Sequence, residues 1–355
     1  MFVRWLAALI AFGAVAFLGI AVFGDFSADA AGNSWALIAA IGLAVGFVAY
    51  AAIEFAQTGG FASIARQFDI RTLALMPVAI AINIILGAAV ANALKIPIYL
   101  DSIGTILVGA LAGPIPGALT GFLANILWQY IIPPPFQGTV AAPFAIVAAV
   151  IGLLAGLFGR AGWLRPRPDR SLGELAVGGV VALVVVIGLA IYAYTRFYTG
   201  AFQFFNPEND NVLFTVLGWL IALLFVGFAV GFLVLLVLRR DLTVAYVTIA
   251  GVLTGVVAAL ISAPISANLF SGITGSGTDF LVAAFRQAGS DIQTATFQQG
   301  LLSDPVDKLV TFFVVYLVLN AMARRSKARF PQGERLIETD ATDTLGEAGW
   351  RGAPS

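Results

Sequence analysis

The sequence predicts an all-α, polytopic helical membrane protein with about ten transmembrane segments, and three observations carry that expectation. Long apolar runs recur at 4–24, 34–55, 72–94, 140–158, 175–194, 212–238, 244–267 and 309–322, with a broken run over 99–132. Most reach the ~20 residues that a bilayer-spanning helix needs. Apolar residues make up 60% of the chain and charged residues 11%, which leaves too little polar cover for a soluble core. Once the runs are laid across a bilayer, all nineteen Lys and Arg residues except Lys95, Arg196, Arg286 and Lys308 fall on one side. Such a bias marks the cytoplasmic face.

Taken in order, Arg4 sets the start of the chain in the cytoplasm, Asp25 and Asp29 lie outside, and Arg66 and Arg71 return the chain inside. Arg160, Arg165, Arg167 and Arg170 form a second inside loop, Arg239 and Arg240 a third, and Arg324, Arg325, Lys327 and Arg329 close the last helix on the same face. This parity requires 100–132 to run down through 102–112, turn at Gly113-Pro114-Ile115-Pro116-Gly117 and return through 118–131. Two prolines and two glycines suit that turn. The first arm is short, so a re-entrant hairpin competes with two full spans. Ala28-Asp29-Ala30 has the form of a signal-peptidase site, although the preceding run is long for a signal peptide and is read as a retained helix. Residues after Arg335 are poor in large apolar side chains and are expected to form a disordered cytoplasmic end.

Several chemistries are excluded. The chain has no cysteine and no histidine, which removes disulfides, thiol catalysis and Cys/His metal sites. None of its three lysines, Lys95, Lys308 and Lys327, follows a glycine, so there is no phosphate-cradling loop of the P-loop type. No GxSxG or HExxH motif occurs, and the carboxylates are too scattered for an acid and base pair. The chain is read as neither an enzyme nor a nucleic-acid binder, and as needing no cofactor. Membrane lipid is its solvent.

Polar residues inside apolar runs are the better guide, because each costs free energy in hydrocarbon unless it faces a cavity or a partner. Three groups gather toward the outer leaflet: Asn92, Tyr99, Asp101, Ser102 and Thr105; Asn125, Trp128, Gln129 and Tyr130; and the outer loop 266–304. Together they suggest a pocket open to the outside. Asp101 is either a ligand contact or an N-cap, Asn125 either a ligand contact or an interhelical hydrogen bond, and Trp128 with Tyr130 either pocket or interfacial aromatics. In the loop, Thr274, Ser276, Thr278 and Asp279 sit in a glycine-rich turn, followed by Phe280, Leu281, Ala284 and Phe285 at helical spacing. Asp304-Pro305-Val306-Asp307-Lys308 reads as the start of the final helix, with Lys308 paired to Asp307 or meeting a substrate carboxylate. Glu54 is read as an interfacial group. Ala79, Asn83, Gly87 and Ala91 recur every four residues as a face that another helix can approach closely, belonging either to a partner or to the inserted helices of this chain.

Two separated blocks resemble the substrate-binding S components of energy-coupling factor (ECF) vitamin transporters. The first is IPIYLDSIGTILVGALAGPIPGALTGFLANILW at 96–128, followed by the helix at Pro143-Phe144-Ala145; the second runs from AGVLTGVVAALISAPISANLFSGITGSGTDFL to LLSDPVDKLVTFFVVYLVL within 250–319. The resemblance implies a six-helix core with cytoplasmic termini, a small-molecule pocket near the outer face and no ATPase of its own. Applied here, it divides the chain into an N-terminal transmembrane hairpin and cytoplasmic link (1–71), core helices one to four (72–170), an inserted hairpin (171–241), core helices five and six with the outer loop (242–330) and a disordered tail (331–355). The expected function is a multi-pass bacterial plasma-membrane subunit that binds a vitamin-like molecule at Asp101, Ser102, Thr105, Asn125, Trp128, Gln129, Thr274, Ser276, Thr278, Asp279, Asp307 and Lys308. Its expected partners are a transmembrane scaffold, met through the Ala79 face, and two cytosolic ATPases. A self-contained secondary transporter or channel, or a structural or sensory membrane subunit, are the alternatives.

Overall fold

The computed structural model describes residues 2–22, 28–93, 98–168, 171–193, 230, 240–287 and 289–338. The expectations for Lys95, Arg196, the segment 212–229 and 231–238, the side chains of Ala91 and Asn92, and the end of the chain from 339 lie outside the described residues. Every regular element among the described residues is helical. The helices are α1 (Phe2–Val22), α2 (Ala28–Thr58), the single turn α3 (Ala62–Ala65), α4 (Ile70–Gly87) with a π-helical extension Ala88–Ala93, α5 (Ile103–Ala112), α6 (Pro114–Tyr130), α7 (Ala145–Arg160), α8 (Leu172–Ala193), α9 (Thr243–Phe270), α10 (Asp279–Gln287), α11 (Ile292–Ala321) and α12 (Arg324–Ala328).

Four stretches among the described residues are long and apolar enough to cross a membrane: Ile41–Thr58, Ile70–Val90, Ala142–Arg160 and Thr243–Phe270. Large apolar side chains face outward along several helices, including Ile70, Leu73 and Ile85 of α4, Val177 and Val184 of α8, and Leu253 and Leu260 of α9. In water such a surface is an aggregation hazard; in lipid it is at home. The chain is a helical membrane protein.

Small residues set how closely the helices meet. Helices α6 and α7 run antiparallel with Gly117 against Gly152, Gly121 against Ala148 and Pro114 against Gly156, and α5 joins them where Gly109 faces the Gly152 carbonyl. A Cβ built on Gly117 would stand 2.5 Å from the Gly152 oxygen, so the backbones touch where any side chain would hold them apart. Helices α9 and α11 form a second antiparallel pair, in the register Ala259–Gly300, Gly255–Pro305 and Gly251–Leu309. The main apolar core lies between these two units, with Ile106 and Leu111 of α5, Ile151 and Phe158 of α7, Val247 of α9 and Phe312 and Val315 of α11 all buried.

Basic residues gather at one end of this bundle. Arg335 donates to the Arg160 carbonyl at 2.5 Å, Arg165 to the Arg335 carbonyl at 3.2 Å, and Arg71 to the Arg329 carbonyl at 3.2 Å. At this end Glu54 is not merely interfacial: it is 1% exposed, its Oε1 accepting from Ser63 N at 2.6 Å and lying 3.3 Å from Arg4 Nη1. The stretch 331–338, expected to begin a disordered tail, is folded. It forms a 3-10 turn over Gly333–Leu336, buries Leu336 completely and ties Gln332 N to the Leu111 carbonyl at 2.8 Å.

Two expectations about helices are corrected. Asp304-Pro305 does not start α11, which begins at Ile292, thirteen positions before Pro305, capped by Asp291 through its bond from Thr294 N. The Asp304 and Asp307 carboxylates are free for tertiary partners because the first turn of α11 lies elsewhere. The face of Ala79, Asn83 and Gly87 is occupied by this chain's own α5 and α6 rather than by a partner or by inserted helices. A Cβ on Gly104 would overlap the Ala79 backbone, Asn83 donates to Thr105 Oγ1 at 2.8 Å, and Gly87 lies under the Trp128 ring. The short arm of the hairpin is α5, whose ten residues rise about 15 Å, half the ~30 Å hydrocarbon thickness.

Candidate functional site

At the end of the bundle away from Arg160 and Arg335, a cavity of about 360 Å³ opens between the N-terminus of α5, the C-terminus of α6, the first half of α7, the second half of α9 and the middle of α11. Its apolar wall includes Phe144, Val147 and Ile151 of the α7 segment, and its polar groups include Asp101, Asn125, Ser262, Asp304 and Lys308. The volume lies at the small end of the ~300–1,000 Å³ range of small-molecule pockets.

The polar side is organised by Asp307 and Lys308. Asp307 is fully buried, and its Oδ1 accepts the backbone N–H groups of Tyr99 at 3.0 Å and Leu100 at 2.8 Å. Leu100 holds a left-handed conformation, φ 54°, which costs a non-glycine residue about 1–2 kcal/mol and which these two hydrogen bonds help to fix. The Lys308 ammonium donates to Asp307 Oδ2 at 2.5 Å and to Ser102 Oγ at 2.8 Å, and lies 3.7 Å from Asp101 Oδ1. One helix turn away, Asp304 receives Ser262 Oγ at 3.0 Å and Ser303 Oγ at 3.1 Å. Gly255 makes this possible: its missing side chain lets α9 lie against Asp304 and Pro305, bringing Ser262 within reach.

The glycine-rich turn covers the cavity. Asp279 accepts from Thr274 N, Thr274 Oγ1 and Gly275 N at 3.0, 2.8 and 2.7 Å, folding the turn back on the start of α10. A chain of hydroxyls then runs from Thr274 through Ser276 to Thr278, which meets the Tyr99 hydroxyl at 2.8 Å. Of the residues expected at helical spacing after Asp279, α10 buries Leu281, Ala284 and Phe285, while Phe280 is only half-buried and Val282 is buried in its place.

Of the residues expected at a binding site, Asp101, Ser102, Asn125, Trp128, Thr274, Ser276 and Lys308 border this one cavity. The other five have structural partners instead. Thr105 bonds Asn83, Gln129 Oε1 accepts Ala142 N at 2.6 Å ahead of α7, Thr278 holds Tyr99, Asp279 folds its own turn and Asp307 supports the backbone before α5. Asp101 is not the N-cap of α5; that position is Ser102, which makes no side-chain cap bond. Sequence reasoning passed over Asp304, taken for a cap, and Ser262, a hydroxyl inside an apolar helix whose polarity was the available signal. It also passed over the wall from Gly138 to Ala141, which carries no chemical signature.

Among the described residues no group of three acidic side chains is placed to hold a metal ion. What the arrangement can do is enclose a small molecule between aromatic surfaces and a charged edge. No family model, characterised protein or solved structure matches this chain.

Proposed function

We propose that this protein is the membrane-embedded substrate-binding subunit of an uptake system for a vitamin-like small molecule, energised by a separate ECF scaffold and ATPases. One observation supports this reading above the others. The two blocks that resemble S components, 96–128 with the helix start at Pro143-Phe144-Ala145 and 250–319, are far apart in sequence yet border one cavity, through Tyr99, Asp101 and Trp128 of the first and Ser262, Asp304 and Lys308 of the second. In this reading the chain has about ten transmembrane segments, sits in a bacterial plasma membrane with both termini and the arginine-rich end in the cytoplasm, and opens the cavity outward.

A second reading, a self-contained ion-coupled transporter, draws on the buried acidic and basic groups of α11, since such groups in membrane helices mark ion and proton paths. Affinity purification from native membranes, with mass spectrometry of proteins and small molecules, separates the two. The first reading expects a scaffold and paired ATPases with the chain and a retained small molecule. Uptake of that molecule by the lone chain in liposomes under an ion gradient would replace it with the second.

A further inference from the structure

We infer that the ligand of this cavity is a small organic cation, an ammonium or charged nitrogen heterocycle carried on an apolar or aromatic body. This deepens the binding-subunit reading and rests on it. The charge inventory of the site motivates the inference. Among the described residues the carboxylates of Asp101, Asp304 and Asp307 meet one basic side chain, Lys308. That ammonium is already committed to Asp307 at 2.5 Å and Ser102 at 2.8 Å, with Asp101 third at 3.7 Å. Asp304, 6% exposed, receives two hydroxyl donors and has no ion pair among the described residues. Two carboxylates therefore border the cavity in excess of the charge that balances them, and a buried carboxylate without a counter-charge is costly.

An anionic ligand would meet that excess and find the lysine taken. A bare metal ion lacks its ligand set, because the described carboxylates do not converge on a point. An organic cation meets the acidic edge with its charge and the remaining wall with its body. Tyr99, Trp128 and Phe144 border the same space and supply apolar wall for that body. Asn125 gives a further independent indication. It is 7% exposed, borders the cavity and has no hydrogen-bond partner for its amide among the described residues, so a ligand polar group completes it.

The experiment uses the full chain in detergent micelles and follows thermal unfolding with benzyltrimethylammonium, benzyl alcohol and benzoate as cationic, neutral and anionic probes. In parallel, solvent extracts of the purified protein are examined by mass spectrometry in both polarities. The expected result is saturable protection by benzyltrimethylammonium alone, weakened about tenfold or more in Asp304→Asn and in Asp101→Asn, and a retained molecule that carries positive charge. Protection by benzyl alcohol or benzoate at equal or lower concentration, or a retained neutral or anionic molecule, overturns the cation assignment and leaves the binding-subunit reading standing. No retained molecule together with no protection by any probe at millimolar concentration overturns both. Because the wild-type comparison among probes needs no substitution, a variant that fails to fold does not blunt the test.

Discussion

Replacing Asp307 with alanine removes the group on which the polar side of the cavity is built. Its carboxylate is 0% exposed and holds three donors at once: Tyr99 N, Leu100 N and the Lys308 ammonium. Removing one member of a buried pair costs about 3–5 kcal/mol, because the survivor keeps its desolvation penalty without its partner. Asp307→Asn keeps an oxygen for the two backbone donors and loses the charge, so its cost falls to about 1.5–3 kcal/mol, the worth of hydrogen bonds to a charged group. Adding Lys308→Met to Asp307→Asn removes the stranded ammonium as well, and the double variant is less destabilised than the sum of the singles by about 1–3 kcal/mol. Reversible unfolding by SDS in mixed micelles, followed by fluorescence of the six tryptophans, measures all of these. An alanine variant within about 1 kcal/mol of wild type, or singles that simply add, would refute the network.

Three further outcomes are expected. Gly255→Ala places a methyl 2.5 Å from the Asp304 carbonyl oxygen and Pro305 N and is expected to destabilise by about 1–3 kcal/mol, read as a lowered Tm; an unchanged Tm contradicts the α9–α11 register. Single cysteines introduced as Arg160→Cys and Gly275→Cys, in a chain with no native cysteine, are expected to label from opposite sides of the membrane, and labelling from one side rejects the placement of the cavity opposite the arginines. At the start of α11, the Thr294 hydroxyl and N–H bonded to Asp291 hold its carboxyl below the ordinary aspartate range. A depressed folded-state value stabilises above the unfolded value and is lost as pH falls through the folded one. The Tm gap between wild type and Asp291→Ala therefore closes only in strong acid, and a gap that closes near neutral pH is inconsistent with this cap.

The helical class and much of the cavity edge are legible in the sequence for one reason: in lipid, polarity is conspicuous. Asp101, Asn125 and Lys308 stand out against apolar neighbours, and all three reach the cavity. The start of α11 is less legible, because 292–303 mixes polar residues with apolar ones, so hydropathy places the helix at the next continuous apolar run, while the weaker Asp291-Ile-Gln-Thr294 signal marks the true cap. Partners were the least legible. A small-residue stripe such as Ala79-Asn83-Gly87 states that a neighbour comes close but not which one, and here it is α5 and α6. Gln129 and Asp279 have the chemistry of ligand contacts and are spent on backbone donors, a distinction made by distance alone.

The backbone-to-backbone contact of α5, α6 and α7 makes this region's tolerance to mutation one-sided. Gly109, Gly117, Gly152 and Gly156 have no side-chain atoms to lose, so shortening is not an available change and every substitution is an enlargement. The same property removes an entropic penalty: ordering glycine and alanine side chains costs essentially nothing, whereas an interface of leucines would surrender about 0.5–1 kcal/mol of rotamer freedom per residue. With no side chain free to change rotamer, the three helices have little means of yielding by degrees. A bulky substitution there is expected to separate the wedge as a whole, and so to remove one wall of the cavity in a single step rather than reshape it.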